Sequence, residues 1–224
     1  MADTGEHGSS DRRVLVVGAG GHARVCLEAL ADSGHVVVGC VSKDGIGAVG
    51  LPVPVVGRTD DLVSVAAAVG ATHSFVAVGD NAIRQRLTEA CVAAGLPPVN
   101  AISRFAMISP GASLGAGVAV LAGAVVNAAA VVGDGAVLNT RCSVDHDCVI
   151  GACAHVSVGV ALGGGVSVGD RALVGIGATV LPLRSVGADA VVCGGSVVVH
   201  DVPAGARVVG APARPMPTVR HGAA

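Results

Sequence analysis

The sequence predicts a two-part chain: an α/β half-Rossmann-like domain over residues 13–100, then an all-β parallel solenoid over residues 101–208. Three observations predict it. From Ile102 to Val198 every sixth residue is Ile, Leu or Val, an unbroken run of 17 positions. Residues 13 to about 98 lack that rhythm and alternate short apolar runs with helix-period stretches. The chain holds 34 glycines and only two aromatic residues, Phe75 and Phe105, so its core is built from slim aliphatic side chains and many of its turns lack a Cβ.

Taken in order, residues 1–12 are polar, carry no apolar signal core and read as a disordered lead-in. Val14 to Val17 is a short strand. It runs through Gly18-Ala19-Gly20-Gly21-His22 into a helix with Ala23, Cys26, Leu27 and Leu30 at i, i+3, i+4 and i+7. His35 to Val41 reads as a second strand. Thr59 stands where it would cap a helix carrying Leu62, Val65, Ala66 and Val69. Phe75 to Val78 gives a third strand, after which Asp80 caps a helix through Ile83, Leu87 and Cys91. Strand alternating with helix implies a parallel sheet that binds at its carboxyl ends.

Gly18, Gly20 and Ala23 match GxGxxG/A in a strand–turn–helix setting, where free N–H groups favour phosphate. Three readings stay open at this point. A dinucleotide would use Asp44 as the acid about 20 residues on. A nucleotide sugar suits half a doubly wound sheet better. In the third, the glycines serve the turn alone.

In the second part, residues two apart on a strand share a face, so position i+4 of one hexad shares the inner face with the next i. The i+4 positions are mostly small, as at Ala124, Ala130, Ala136, Cys142 and Ala154. Each hexad is then a short strand with one large and one small inward residue and a corner at i+2 and i+3. Such strands bury their inner faces only by coiling and stacking. Leu114 to Gly133 is uncharged and long enough to span a bilayer, but its glycines and sixfold rhythm assign it to the solenoid. Residues 209–224 form a C-terminal segment.

The formal net charge is −2, and the arginines are scattered with Lys43 the sole lysine. No basic stripe or aromatic platform points to nucleic acid, and no membrane association is expected. Seven cysteines without a CxxC pair fit reduced, packed thiols and a cytoplasmic protein.

The hexads resemble the left-handed parallel β-helix of hexapeptide-repeat acyltransferases, in which three hexads make one turn and positions 18 apart stack. GAGGHA at 18–23, GDN at 79–81, NTRCSVDHDCVIG at 139–151 and GAPARP at 210–215 are similar to the sialic-acid O-acetyltransferase family. That family includes N-acetyltransferases of nucleotide-linked 4-amino-4,6-dideoxy sugars. The resemblance implies a homotrimer, acetyl-CoA as cosubstrate, no metal, and acetylation of the amino group of such a sugar in polysaccharide biosynthesis. O-acetylation of a sialic-acid-like sugar is the alternative.

Acetyl transfer to an amine needs a base, an oxyanion donor and close placement. His146 falls at the i+2 corner of its hexad, pointing outward, with Asp147 beside it. The positions 18 away, Ala128 and Gly164, are small and leave a hollow by the ring. Asp147 is the expected partner of one ring nitrogen, and Asp145 a second candidate; a solvated polar corner is the plain alternative. The resemblance carries further roles. It assigns His155, Gly164, Ile176 and Gly194 to acetyl-CoA, with the Gly164 N–H facing the thioester oxygen and Arg214 toward the coenzyme phosphates. Gly20, Gly21, His22, Gly79 and Asn139 are assigned to the nucleotide sugar, although His22 also stands where it could simply cap its helix. Ser42 and Lys43 depart from the acidic pair of uridine-specific relatives, which leaves UDP, GDP and dTDP open.

Two readings from other classes compete. A zinc enzyme of the β-helical carbonic anhydrase type needs three converging histidines, whereas His146, His155 and His200 are widely spaced. A non-catalytic nucleotide-sugar-binding protein would not depend on His146. Within the enzyme reading, seven cysteines allow a ping-pong route beside direct transfer.

Overall fold

The structure, a computed structural model, describes residues 12–216. The expected lead-in lies outside the described residues except for Arg12, as does the chain beyond Met216. Two compact units are present: residues up to 106 together with 115–122, and residues 107–114 together with those from 123 onward.

The first unit is built on four parallel strands: β1 (Arg13–Val17), β2 (Val36–Ser42), β3 (Val55–Arg58) and β4 (His73–Val76). Their order is β3-β2-β1-β4, so the strands are added first on one side of β1 and then, with β4, on the other. Helices α1 (Gly21–Asp32), α2 (Leu62–Val69) and α3 (Asn81–Ala93) cover the sheet. The apolar stripe expected on α1 is buried at Ala23, Cys26, Leu27 and Leu30. Leu15, Val17, Val41, Leu62, Val76 and Cys91 share one core. Asp80 caps α3 as expected, its Oδ1 accepting from the Ile83 N–H at 2.8 Å.

One expectation needs correction. Thr59 caps nothing; it opens a short 3-10 turn, Thr59–Asp61, and Asp61 precedes α2 without a side-chain cap bond. Strand β3 carries little sequence signal, because its four residues follow Pro52 and Pro54 and contain Gly57. Pairing with β2 is what extends it.

The C-terminal end of α1 meets the first repeat strands within this unit. The Ser33 hydroxyl accepts from the Ile102 N–H at 2.8 Å, and Asp32 accepts from the Arg104 N–H at 3.0 Å. The strand at Ala101–Ile102 pairs in parallel with that at Ala119–Val120.

The second unit is the β-helix. Its two-residue strands stack with partners 18 residues apart, as Val131 with Val149 and Ser143 with Ala161. One face stacks strands from Ser113–Leu114 to Ser185–Val186, a second from Met107–Ile108 to Val197–Val198, and a third continues from Val137–Leu138 to Arg207–Val209. The rhythmic residues point inward, with Val126, Val144, Ile150, Val156 and Val174 each no more than 1% exposed. The small i+4 residues Ala124, Cys142, Cys148 and Ala154 fill the space between them. Each fully buried aliphatic side chain contributes about 1.5–3 kcal/mol, so stacking many coils secures a core that one coil could not. None of the seven cysteines forms a disulfide, and all but Cys193 are buried. No helix among the described residues is long and apolar enough to cross a membrane.

Candidate active site

The three corners of the coil form three edges, and the residues singled out in the sequence divide between two of them. Residues 128, 146, 164 and 182 stack on one edge. There His146 and Asp147 sit side by side, with the His146 Nδ1 2.7 Å from Asp147 Oδ2. Asp147 holds a left-handed backbone, φ 59°, a conformation that short polar side chains tolerate better than most. Asp145 does not touch the ring. Its Oδ1 accepts from the His146 N–H at 2.8 Å and from Asn127 Nδ2 at 2.9 Å, tying the corner to the coil before it.

Gly164 lies beneath the imidazole. A Cβ there would stand 2.6 Å from His146 Cε1 and Nε2, so the ring occupies space that only glycine leaves. The Gly164 N–H donates to no group among the described residues. The hydrogen bond to Asp147, followed by the charge of Asp145, pushes the imidazole above its ordinary value of 6.5. The His146 N–H and Asn127 hold the Asp145 carboxyl below the usual carboxylate range. With Nδ1 engaged by Asp147, the nitrogen left to take a proton is Nε2, which faces outward over Gly164.

A second edge carries residues 140, 158, 176 and 194, and beside it lie Asn139 and His155. Asn139 Oδ1 accepts from the Thr140 N–H at 2.8 Å, which orients the amide so that Nδ2 donates to His155 Nε2 at 3.0 Å. His155 therefore carries its proton on Nδ1. Ile176 is 64% exposed on this edge, and the Ile176 carbonyl accepts from the Gly195 N–H next to Gly194. Within one chain, His146 and Gly164 thus stand together, while Asn139, His155, Ile176 and Gly194 gather on the neighbouring edge. Arg214 is exposed, its Nη1 donating to the Ala213 carbonyl.

The remaining sequence-predicted residues line a cleft of 670 Å³ in the first unit, at the carboxyl ends of β1, β2 and β4. Gly18 is required by the fold: its φ is +118°, and a Cβ would meet the Ala77 carbonyl oxygen at 2.6 Å. Gly20, Gly21 and Gly79 differ. None has a left-handed backbone, and a Cβ at each would meet nothing within 4 Å. Nothing in the chain demands glycine at these three positions, and their bare backbone borders the cleft. A phosphate fits such a cradle beside the start of α1, whose N-cap Gly20 offers no side chain to its N–H groups. The N-cap position of α1 is Gly20, two residues before His22. The His22 Nε2 lies 3.4 Å from Cys26 Sγ, and burial, with Arg84 nearby, keeps the ring neutral at pH 7.

Sequence reasoning missed two supports. Arg84 is buried and donates to the Val78 and Gly79 carbonyls and to Asn81 Oδ1, fixing the loop that presents Gly79. Arg84 shares the buried face of α3 with Cys91, and a lone arginine in a helix gives no sequence signal of that placement. Asn127 does have one, since it stands 18 residues before Asp145. No cluster among the described residues is arranged to hold a metal ion.

The PglD N-terminal domain model matches residues 13–91. Perosamine N-acetyltransferase from Caulobacter crescentus, solved as a His-to-Asn mutant with CoA and GDP-perosamine, is 43% identical over 93% of this chain and 98% of that one, with a TM-score of 0.88. This chain belongs to the sugar N-acetyltransferases of the hexapeptide-repeat family. PerB from the same organism, in complex with CoA and GDP-perosamine, is 38% identical to the transferase over 93% of this chain and 99% of that one (TM-score 0.78). The acetyltransferase domain of PglB from Neisseria gonorrhoeae, bound to acetyl coenzyme A, is 36% identical over 92% and 100% of the two chains (TM-score 0.86).

Proposed function

We propose that this transferase moves the acetyl group of acetyl-CoA to the 4-amino group of a nucleotide-linked 4-amino-4,6-dideoxy sugar, with GDP-perosamine as its substrate. The observation that carries the reading is the His146–Asp147 pair, with Nε2 open above Gly164. The complexes of the 43% and 38% identical proteins with CoA and GDP-perosamine support the choice of sugar and nucleotide.

In this reading the cleft residues Gly20, Gly21, His22 and Gly79 hold the diphosphate. The sugar amine attacks the thioester carbonyl while His146 Nε2 accepts the proton that the nitrogen loses. Asp147 keeps the other proton on Nδ1 and stabilises the imidazolium. The Gly164 N–H donates to the carbonyl oxygen as it gains charge. When the C–S bond breaks, the imidazolium returns its proton to the departing thiolate, leaving acetamido sugar and free CoA.

The division of the site between two edges supports a cyclic homotrimer. There the Asn139–His155 edge of one copy completes the His146 edge of the next, with acetyl-CoA between them and Ile176 and Gly194 along it. A cytoplasmic location accords with the reduced cysteines and with acetyl-CoA as donor.

The test is thiol release from acetyl-CoA in the presence of GDP-, UDP- and dTDP-linked amino sugars. GDP-perosamine should be acetylated, and His146→Ala should cut turnover about 10²-fold or more. Full activity in His146→Ala, or no turnover of any amino sugar, overturns the reading.

A further inference from the structure

The diphosphate loops account for one end of the 670 Å³ cleft. At its other end Ser42 and Lys43 close β2, and Thr59 and Asp60 follow β3. Ser42 pairs in register with Arg58, so Lys43 and Thr59 leave the sheet level with each other and Asp60 follows one residue on. Both residues line this end of the cleft, so an ammonium group and a carboxylate border the same space. Lys43 has no ion-pair partner among the described residues. Asp60 has only a loose contact with Arg58, 3.6 Å between exposed side chains, so its carboxylate remains available to a ligand.

We propose that Lys43 and Asp60 read the nucleobase and select guanine, an inference that rests on the nucleotide-sugar reading above. Guanine presents N1–H and N2–H as adjacent donors, which one carboxylate accepts together, and beside them O6 and N7 as acceptors for an ammonium group. Uracil and thymine offer a single N3–H flanked by two carbonyl oxygens. A carboxylate bound at that N–H faces the negative end of a carbonyl on either side, and no second donor compensates. The pairing of one cation with one anion fits the guanine edge and opposes the pyrimidine edges.

The inference is tested with GDP, IDP and UDP binding to the full chain by titration calorimetry. IDP lacks only the 2-amino group, so the wild type should bind GDP about tenfold or more tighter than IDP, the loss expected for one charge-assisted hydrogen bond. Asp60→Asn should bring the GDP-to-IDP ratio close to one. Lys43→Met should weaken both ligands alike and leave the ratio intact, because both bases carry O6 and N7. Equal affinity of the wild type for GDP and IDP overturns the inference, as does a ratio that survives in Asp60→Asn. If GDP-perosamine is acetylated while GDP and IDP bind alike, only the base-reading role fails. If a UDP-linked amino sugar is turned over and GDP-perosamine is not, the functional reading fails with it.

Discussion

Replacing Gly164 by Ala separates the placement of the base from the integrity of the fold. The backbone at Gly164 is not left-handed, so alanine is accommodated by the main chain. Its Cβ would stand 2.6 Å from two imidazole atoms of His146, whereas ordinary contact begins near 3.4 Å, so the ring must withdraw by at least about 0.8 Å. The His146 side chain is 61% exposed and free to swing outward, which keeps the core undisturbed. That swing opens the 2.7 Å contact to Asp147 and carries Nε2 away from the Gly164 N–H. A misplacement of about 1 Å in a reacting group costs on the order of 10²-fold in rate. Gly164→Ala should therefore lower kcat/KM for thiol release about 10²-fold while the melting temperature moves by no more than about 2 °C. Gly163→Ala is the contrast: its Cβ would press at 2.8 Å on Pro182, which cannot withdraw, and should cost about 1–3 kcal/mol of stability. Activity of Gly164→Ala within about threefold of wild type, at an unchanged melting temperature, would refute the claim that the ring over Gly164 sets the geometry of the base.

Asp147→Asn should shift the acid limb of the pH profile. Neutral His146 is the active form and Asp147 is the first cause of its raised value, so wild-type activity falls as pH drops through a pKa above 6.5. In the variant that limb moves to lower pH and kcat/KM falls about tenfold or more; an unmoved limb assigns the profile to another group. Gly20→Ala or Gly79→Ala should raise the KM for the nucleotide sugar about tenfold with no loss of melting temperature, because each Cβ enters empty space beside the proposed diphosphate. Gly18→Ala should instead lower the melting temperature, since its backbone and the Ala77 carbonyl both refuse a Cβ. Co-expressing His146→Ala with Asn139→Ala should recover about a quarter of wild-type activity from two impaired chains, the share of interfaces with both residues intact after random assembly of a ring. No recovery would place both residues in a site completed by one copy.

Much of this was legible in the residues. A sixfold aliphatic rhythm admits few geometries, because only a two-residue alternation followed by a fixed corner keeps every sixth side chain inside. The corner position of His146 followed from that count, as did its small neighbours at 128 and 164. The α1 stripe was equally readable, since its apolar spacing is helical and its glycines stand between strand and helix. Strand β3 was not, because four residues behind two prolines carry too little local preference and depend on pairing with β2. The failed cap at Thr59 has a similar origin: a 3-10 turn competes with a direct helix start, and local sequence does not decide between them.

The sequence by itself determined the coil, the parallel sheet and the outward histidine, since periodicity and side-chain alternation act within a few residues along the chain. Only the tertiary structure decided which carboxylate meets the ring, which glycines serve the fold and which border a cleft, and that the Asn139 amide reaches His155 Nε2. Those outcomes depend on what lies one coil or one strand away, where separation in space no longer follows separation in sequence.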